Sequence, residues 1–240
     1  MKEFTRICMW AGPRNISTTV MYSFAQRKDT TVFDEPLYAH YLANTSAKEY
    51  HPGVDEILRT QENDGAKVIE AMLKNEGSPV QFYKQMTHHL LRLDRRFMSS
   101  VHHIILTRDP REMLPSFAAV IRHPTLADTG YEQHNELVNY FETNNIPCTV
   151  IDSKKVLLHP RDQLTKLCNN LNIDFQESML TWKKGTRIED GVWAKYWYKS
   201  IHGSTGFMEY KEKIEEFPEE LKTLLNDCMP YYERLKALAL

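Results

Sequence analysis

Short apolar runs recur along the chain, each closed by a polar cluster and most followed by a stretch with helical spacing. The first run covers residues 5–10 and is unbroken over Ile7-Cys8-Met9-Trp10, which reads as a buried strand. From Ser17 to about Gln26 the spacing changes, and Val20, Met21 and Phe24 fall on one helical face. Thr31-Val32-Phe33 predicts a short second strand. Pro36 then suits the first position of a helix whose face is Leu37, Tyr38, Tyr41 and Leu42. Residues 80–86, 102–106 and 149–151 supply three more strands. Helices are expected over residues 68–73, around Leu90, Leu91 and Leu93, over 131–143 and 161–171, and over 218–238 with an interruption at Pro230. Another helix starts at Asp109, where Asp109, Pro110 and Glu112 match a capping box. Pro115 should kink it.

Two stretches break the pattern. Residues 44–62 are polar, with a break at His51-Pro52-Gly53, and read as a surface excursion able to cover a site. Residues 181–207 are aromatic and irregular. Helical spacing would put Trp193, Tyr196 and Trp197 on one face, which predicts core packing.

Strands alternating with helices predict an α/β fold of three layers, α/β/α, around a mainly parallel sheet. The reading is one domain over 1–240, with its core in 4–171 and an aromatic and helical C-terminal segment in 172–240. In such sheets ligands bind at the carboxyl ends of the strands. Four polar clusters are expected there: Arg14 after the first strand, Glu35 after the second, His88 and His89 after the third, and Arg108 after the fourth.

Composition narrows the partners. A net charge of -2 provides no global basic field, so nucleic acid and anionic membrane surfaces are not expected partners. No apolar run approaches the roughly 20 residues needed to span a bilayer. The opening residues, MKEFTRICMW, are expected to be strand rather than signal peptide. Cys8, Cys148, Cys168 and Cys228 form no C-x-x-C pair, which predicts free thiols and a cytoplasmic location. The histidines lack metal-ligand spacing, and no metal is expected.

The chemistry is concentrated in Ala11-Gly12-Pro13-Arg14-Asn15 and the Ser17-Thr18-Thr19 that follow. A helix N-terminus after a buried strand offers unpaired N–H groups and the positive end of a dipole. Arg14 adds a charged planar fork matched to phosphate or sulfate. The plainer reading is an ordinary helix cap. The stretch is not a Walker A motif, since it has one glycine and no lysine. Asn15 is the expected left-handed residue of the turn.

P-R-N-I-S-T-T resembles the 5′-phosphosulfate loop of the sulfotransferases, with Ile16 where that family usually has glycine. L-T-R-D-P-R-E-M-L-P-S-F is similar to that family's 3′-phosphate motif, through Arg108 and Ser116. Residues 190–207 look like a bacterial and plant branch of sulfotransferase-like proteins, which in plants can be fused to an aminotransferase-like domain. The resemblance implies a P-loop NTPase-like fold that uses 3′-phosphoadenosine 5′-phosphosulfate (PAPS) without metal and releases the bisphosphate PAP. It also implies a small-molecule acceptor and leaves a homodimer open. By the same resemblance, Arg14, Asn15, Ser17, Thr18 and Thr19 hold the phosphosulfate, and Arg108 and Ser116 hold the 3′-phosphate. The family's R-K-G-x-x-G adenine loop is absent, with Trp182-Lys183-Lys184-Gly185 as a degenerate counterpart.

Transfer to a hydroxyl needs a general base. Glu35 stands at the spacing from Arg14 that the tyrosylprotein sulfotransferases use. His88 and His89 fall in KQMTHHL, which loosely resembles K-T-H-L-P. Glu35 is preferred on spacing, and the plainer reading is a helix cap and two structural histidines. Lys84 can face the site, although a strand lysine is more often a solvated edge residue. A divergent P-loop small-molecule kinase is the enzyme alternative, with Asp34 managing Mg²⁺. A non-catalytic nucleotide-binding scaffold is the other.

Overall fold

The computed structural model describes residues 4–212 and 216–240; residues 1–3 of the opening stretch lie outside these. Five parallel strands form one sheet in the order β2-β3-β1-β4-β5: β1 (Thr5–Ala11), β2 (Thr30–Asp34), β3 (Val80–Met86), β4 (His102–Thr107) and β5 (Cys148–Asp152). Helices α1 (Ser17–Phe24), α2 (Tyr38–Ala43), α3 (Val54–Thr60) and α4 (Gly65–Met72) precede β3. Helices α5 (Pro110–Ala118), α6 (Leu126–Thr129) and α7 (Tyr131–Thr143) join β4 to β5. After β5 come α8 (Ser153–Leu158), α9 (Pro160–Asn170), α10 (Ala194–Trp197), α11 (Lys199–His202) and α12 (Lys222–Leu238).

Strand alternation builds two apolar layers. Ile7, Met9 and Ala11 of β1 join Phe82, Ile104, Leu106 and Ile151 on one face, packed against Val20, Met21 and Phe24 of α1 and Leu164 and Leu167 of α9. Cys8 and Trp10 turn the other way with Tyr83, Ile105 and Val150. They meet Val68 and Met72 of α4, Leu137 and Phe141 of α7, and Tyr232 and Leu235 of α12. A third cluster joins Tyr38, Ala39 and Leu42 of α2 to Ile57 of α3 and to Trp193 and Tyr198.

The chain crosses from β1 to β2 on one side of the sheet, returns through β3, and then adds β4 and β5 on the other. The strand order therefore reverses between β1 and β4, where Ala11 pairs with Leu106. Such a switch point leaves a crevice beyond the carboxyl ends. Arg14 and Arg108 follow these two strands.

Three local expectations are corrected. Leu90, Leu91 and Leu93 form no helix, because His40 Nε2 donates to the Leu91 carbonyl at 2.9 Å and Arg92 adopts φ +54°. Residues 44–62, read as a surface excursion, contain α3 and a 3₁₀ turn at Ser46–Glu49. Helix α12 continues through Pro230, which is exposed. Tyr196 is not core: α10 is a single turn and leaves it 47% exposed, while Trp193 is buried. Among the described residues no helix is long and apolar enough to cross a membrane.

Candidate active site

The carboxyl ends of β1, β2, β3 and β4 open into a cleft of about 730 Å³. The turn after β1 is tight. A Cβ on Gly12 would lie 2.6 Å from the Thr129 carbonyl oxygen, so only glycine fits beneath that backbone. Arg14, not Asn15, takes the left-handed conformation, with φ +53°. Asn15 instead crosses the switch point, its Nδ2 donating to the Leu106 carbonyl at 2.7 Å while its buried Oδ1 has no partner among the described residues.

Helix α1 then begins without a side-chain cap, and its first helical bond runs from Val20 N–H to Ile16 O at 3.1 Å. Among the described residues the Thr18 and Thr19 amides have no backbone acceptor. They face the cleft that Ser17, Thr18 and Thr19 line.

Arg108 and Arg14 are tied together. Arg108 Nη1 donates to the Arg14 carbonyl at 2.8 Å, and its Nε meets Glu112 Oε2 at 3.3 Å. Arg14 Nε donates to Ser116 Oγ at 3.4 Å. Ser116 thus sits behind Arg14 and is not part of the cleft lining, whereas Arg14 and Arg108 are. Burial, and then the neighbouring Arg108 charge, lower the Arg14 pKa from its usual value.

At the ends of β2 and β3 lies a buried ionic cluster. Lys84 Nζ contacts Asp34 Oδ1 at 2.8 Å, Tyr198 Oη at 2.7 Å and Glu35 Oε1. Tyr198 Oη also donates to Asp34 Oδ2 at 2.8 Å, which accepts from the Gly191 amide at 3.1 Å. Lys84 is 1% exposed, not a solvated edge residue, because β3 lies between β2 and β1. Burial alone would lower its pKa, but Asp34 and Glu35 outweigh that and hold it well above the usual value. Burial raises the Glu35 pKa, opposed by the charge of Lys84. Glu35 also has a left-handed backbone, φ +45°. A non-glycine residue in that region costs on the order of 1–3 kcal/mol, and such strain concentrates at functional sites.

His88 and His89 line the cleft with aromatic neighbours. His89 stacks on Tyr38 and Tyr41, with ring centroids 4.9 and 4.8 Å apart, and His88 meets Tyr41 edge-on at 4.9 Å. Burial pushes His88 down to about 4 and His89 well below its ordinary value, so both rings are neutral at neutral pH. His103 is a core residue, accepting from Trp10 Nε1 at 3.0 Å.

The structure moves the adenine-side expectation. Trp182 is buried, with Nε1 donating to Ser204 Oγ at 3.1 Å, and Lys183 and Lys184 are exposed away from the cleft. Gly206 and residues 208–211 line the cleft instead. Tyr210 Oη is anchored to Glu112 Oε1 at 2.6 Å. Neither this segment nor the Asp34–Lys84–Tyr198 cluster was singled out from sequence. The available signal was a lysine inside the third strand, level with two acids at the end of the second.

The sulfotransferase domain family model matches residues 5–239. The chain is 39% identical to branched-chain-amino-acid aminotransferase-like protein 1 of Arabidopsis thaliana and 38% identical to protein 2, over 99% and 95% of its length. It spans only 42% and 40% of those relatives. The sulfotransferase domain from the curacin biosynthetic pathway is 12% identical and superposes with a TM-score of 0.52 over 95% of this chain and 99% of that one, a likeness of fold. The parallel sheet, the loop at its switch point and the match over nearly the whole chain agree: this chain belongs to the sulfotransferase family.

Proposed function

We propose that the chain transfers a sulfuryl group from PAPS to a hydroxyl or amine of a small acceptor. The observation that carries this is the Arg14 turn, strained at the mouth of α1 and held in place by Arg108. The residues suit the donor: the Thr18 and Thr19 amides, three hydroxyls and two guanidinium groups face a single opening. Ser17, Thr18, Thr19 and Arg14 would hold the 5′-phosphosulfate. Arg108 would hold the 3′-phosphate, and Ser116 would orient Arg14.

The acceptor oxygen attacks sulfur in line as the bond from sulfur to the bridging oxygen breaks, and PAP leaves with that electron pair. Arg14 and the α1 amides stabilise the charge that moves onto the bridge. Glu35 takes the acceptor proton. Lys84 contacts Glu35 Oε1, opposes the rise that burial gives the Glu35 pKa and fixes the direction of the carboxylate. His88 is the second candidate base, because its ring is neutral and its buried Nδ1 has no partner among the described residues.

The test is PAP release from PAPS in the presence of pooled small alcohols, phenols and amines. Acceptor-dependent release that Glu35→Gln lowers supports the proposal. Turnover of ATP with Mg²⁺, and none of PAPS, would replace it with the kinase reading.

A further inference from the structure

Beyond Glu35 the cleft continues into an end whose chemistry differs from that of the donor loop. Its wall is Tyr38, Tyr41, Tyr50, His51 and His88, with one carboxylate, Asp128. Tyr38 connects this wall to the reaction centre. Its amide donates to the Glu35 carbonyl at 2.9 Å and its hydroxyl meets His51 Nδ1 at 2.6 Å. His51 also lies edge-on to Tyr50, with centroids 5.1 Å apart.

The lysine and arginine side chains lining the cleft are Arg14, Lys84, Arg108 and Lys211, and of these Lys84 acts on Tyr38. Lys84 is neutralised by Asp34 and Glu35. Burial lowers His51 and His88, which leaves both rings uncharged near neutrality. Asp128 uses Oδ2 to accept from Thr125 N–H at 2.8 Å and Thr125 Oγ at 2.7 Å. Among the described residues Oδ1 has no hydrogen-bond donor. Asp128 lines the same cleft as Tyr41, Tyr50, His51 and His88, and its charge reaches all four.

Neutral aromatic faces around a half-used carboxylate favour a cation. Resting on the transfer reading above, we infer that the acceptor carries an ammonium group beside its hydroxyl. The tyrosine faces and Asp128 Oδ1 hold the cation while the hydroxyl points at Glu35. An anionic acceptor would meet Asp128 with no compensating charge, which makes the site selective as well as attractive.

Calorimetry with three probes of matched shape tests this: tyramine, its neutral isostere para-propylphenol, and anionic para-hydroxyphenylpropionate, each with and without PAP. Tyramine should bind about tenfold more tightly than the neutral probe, and the anion most weakly. Asp128→Asn, which retains a capping oxygen, should bring tyramine within about threefold of para-propylphenol. Equal affinity of tyramine and para-propylphenol in the wild type, preference for the anion, or no binding of any probe overturns the inference. PAP titrated alone tests the donor reading separately. A protein that binds PAP and ranks the probes otherwise loses only the acceptor assignment. One that ranks them as expected without binding PAP keeps the acceptor end and loses the donor.

Discussion

Arg108 does not simply share an opening with Arg14; its Nη1 donates to the Arg14 backbone carbonyl at 2.8 Å. Arg14 is a left-handed non-glycine residue, so its conformation must be imposed by its surroundings. Arg108, anchored at the end of β4 with its own carbonyl accepting from Tyr131 Oη at 2.6 Å, imposes it. The two arginines are therefore one mechanical unit.

Arg14→Ala and Arg108→Ala should each weaken PAP binding by about 10- to 100-fold, the scale of one charged hydrogen-bonding contact. The double variant should lose less than the product of the two, because removing Arg108 already frees Arg14. Isothermal titration of all four proteins measures the coupling. Strictly multiplicative losses would mean that the arginines act independently.

Glu35→Gln should leave PAP affinity intact and lower transfer by about 10²- to 10⁴-fold, the range of general base catalysis. Rates are to be compared at saturating PAPS once an acceptor is found. Full activity in Glu35→Gln would move the base to His88.

Lys84→Met acts on stability before chemistry. It leaves Asp34 and Glu35 buried side by side without their cation, a loss of about 3–5 kcal/mol. Urea unfolding at neutral pH should show it. A loss below about 1 kcal/mol would mean that the cluster is already relieved by protonation or water.

Acid should destabilise the fold well above the carboxylate range. His88 and His103 are held down to about 4, and His134 to about 3, all by burial. Their folded pKa values lie below the unfolded value of about 6.5, so the unfolded chain binds more protons between the two. The stability they contribute is complete above pH 6.5 and lost as pH falls towards 4. Each contributes a slope of up to about 1.4 kcal/mol per pH unit. Urea melts from pH 7.5 to 5 should report uptake of more than one proton on unfolding; pH-independent stability over that interval would show that these histidines are not buried neutral.

The sheet was readable from the sequence because each strand is a short apolar run closed by polar residues, and all five expected strands are present. The positions of Arg14, Glu35 and Arg108 followed, since each stands just past a strand end. Conformation at those positions was less legible. Asn15 was the natural left-handed candidate by residue type, but its side chain is committed to Leu106 and the strain falls on Arg14. Lys84 was misjudged because burial of an ammonium group depends on partners from β2 and from Tyr198, more than a hundred residues away. Leu90, Leu91 and Leu93 had apolar residues to suggest a helix, but a tertiary hydrogen bond from His40 takes a carbonyl there. The lining from residues 208–211 carried no motif at all.

Thermal unfolding with PAP, in EDTA and in Mg²⁺, beside ATP under the same conditions, tests the central claim most directly. A ligand present at about a hundred times its Kd stabilises by about 2.7 kcal/mol, or very roughly 5–10 °C for a domain of this size. PAP should give that shift, equal with and without the metal, and ATP little. No shift with PAP at millimolar concentration, or a shift only with ATP and Mg²⁺, would contradict it.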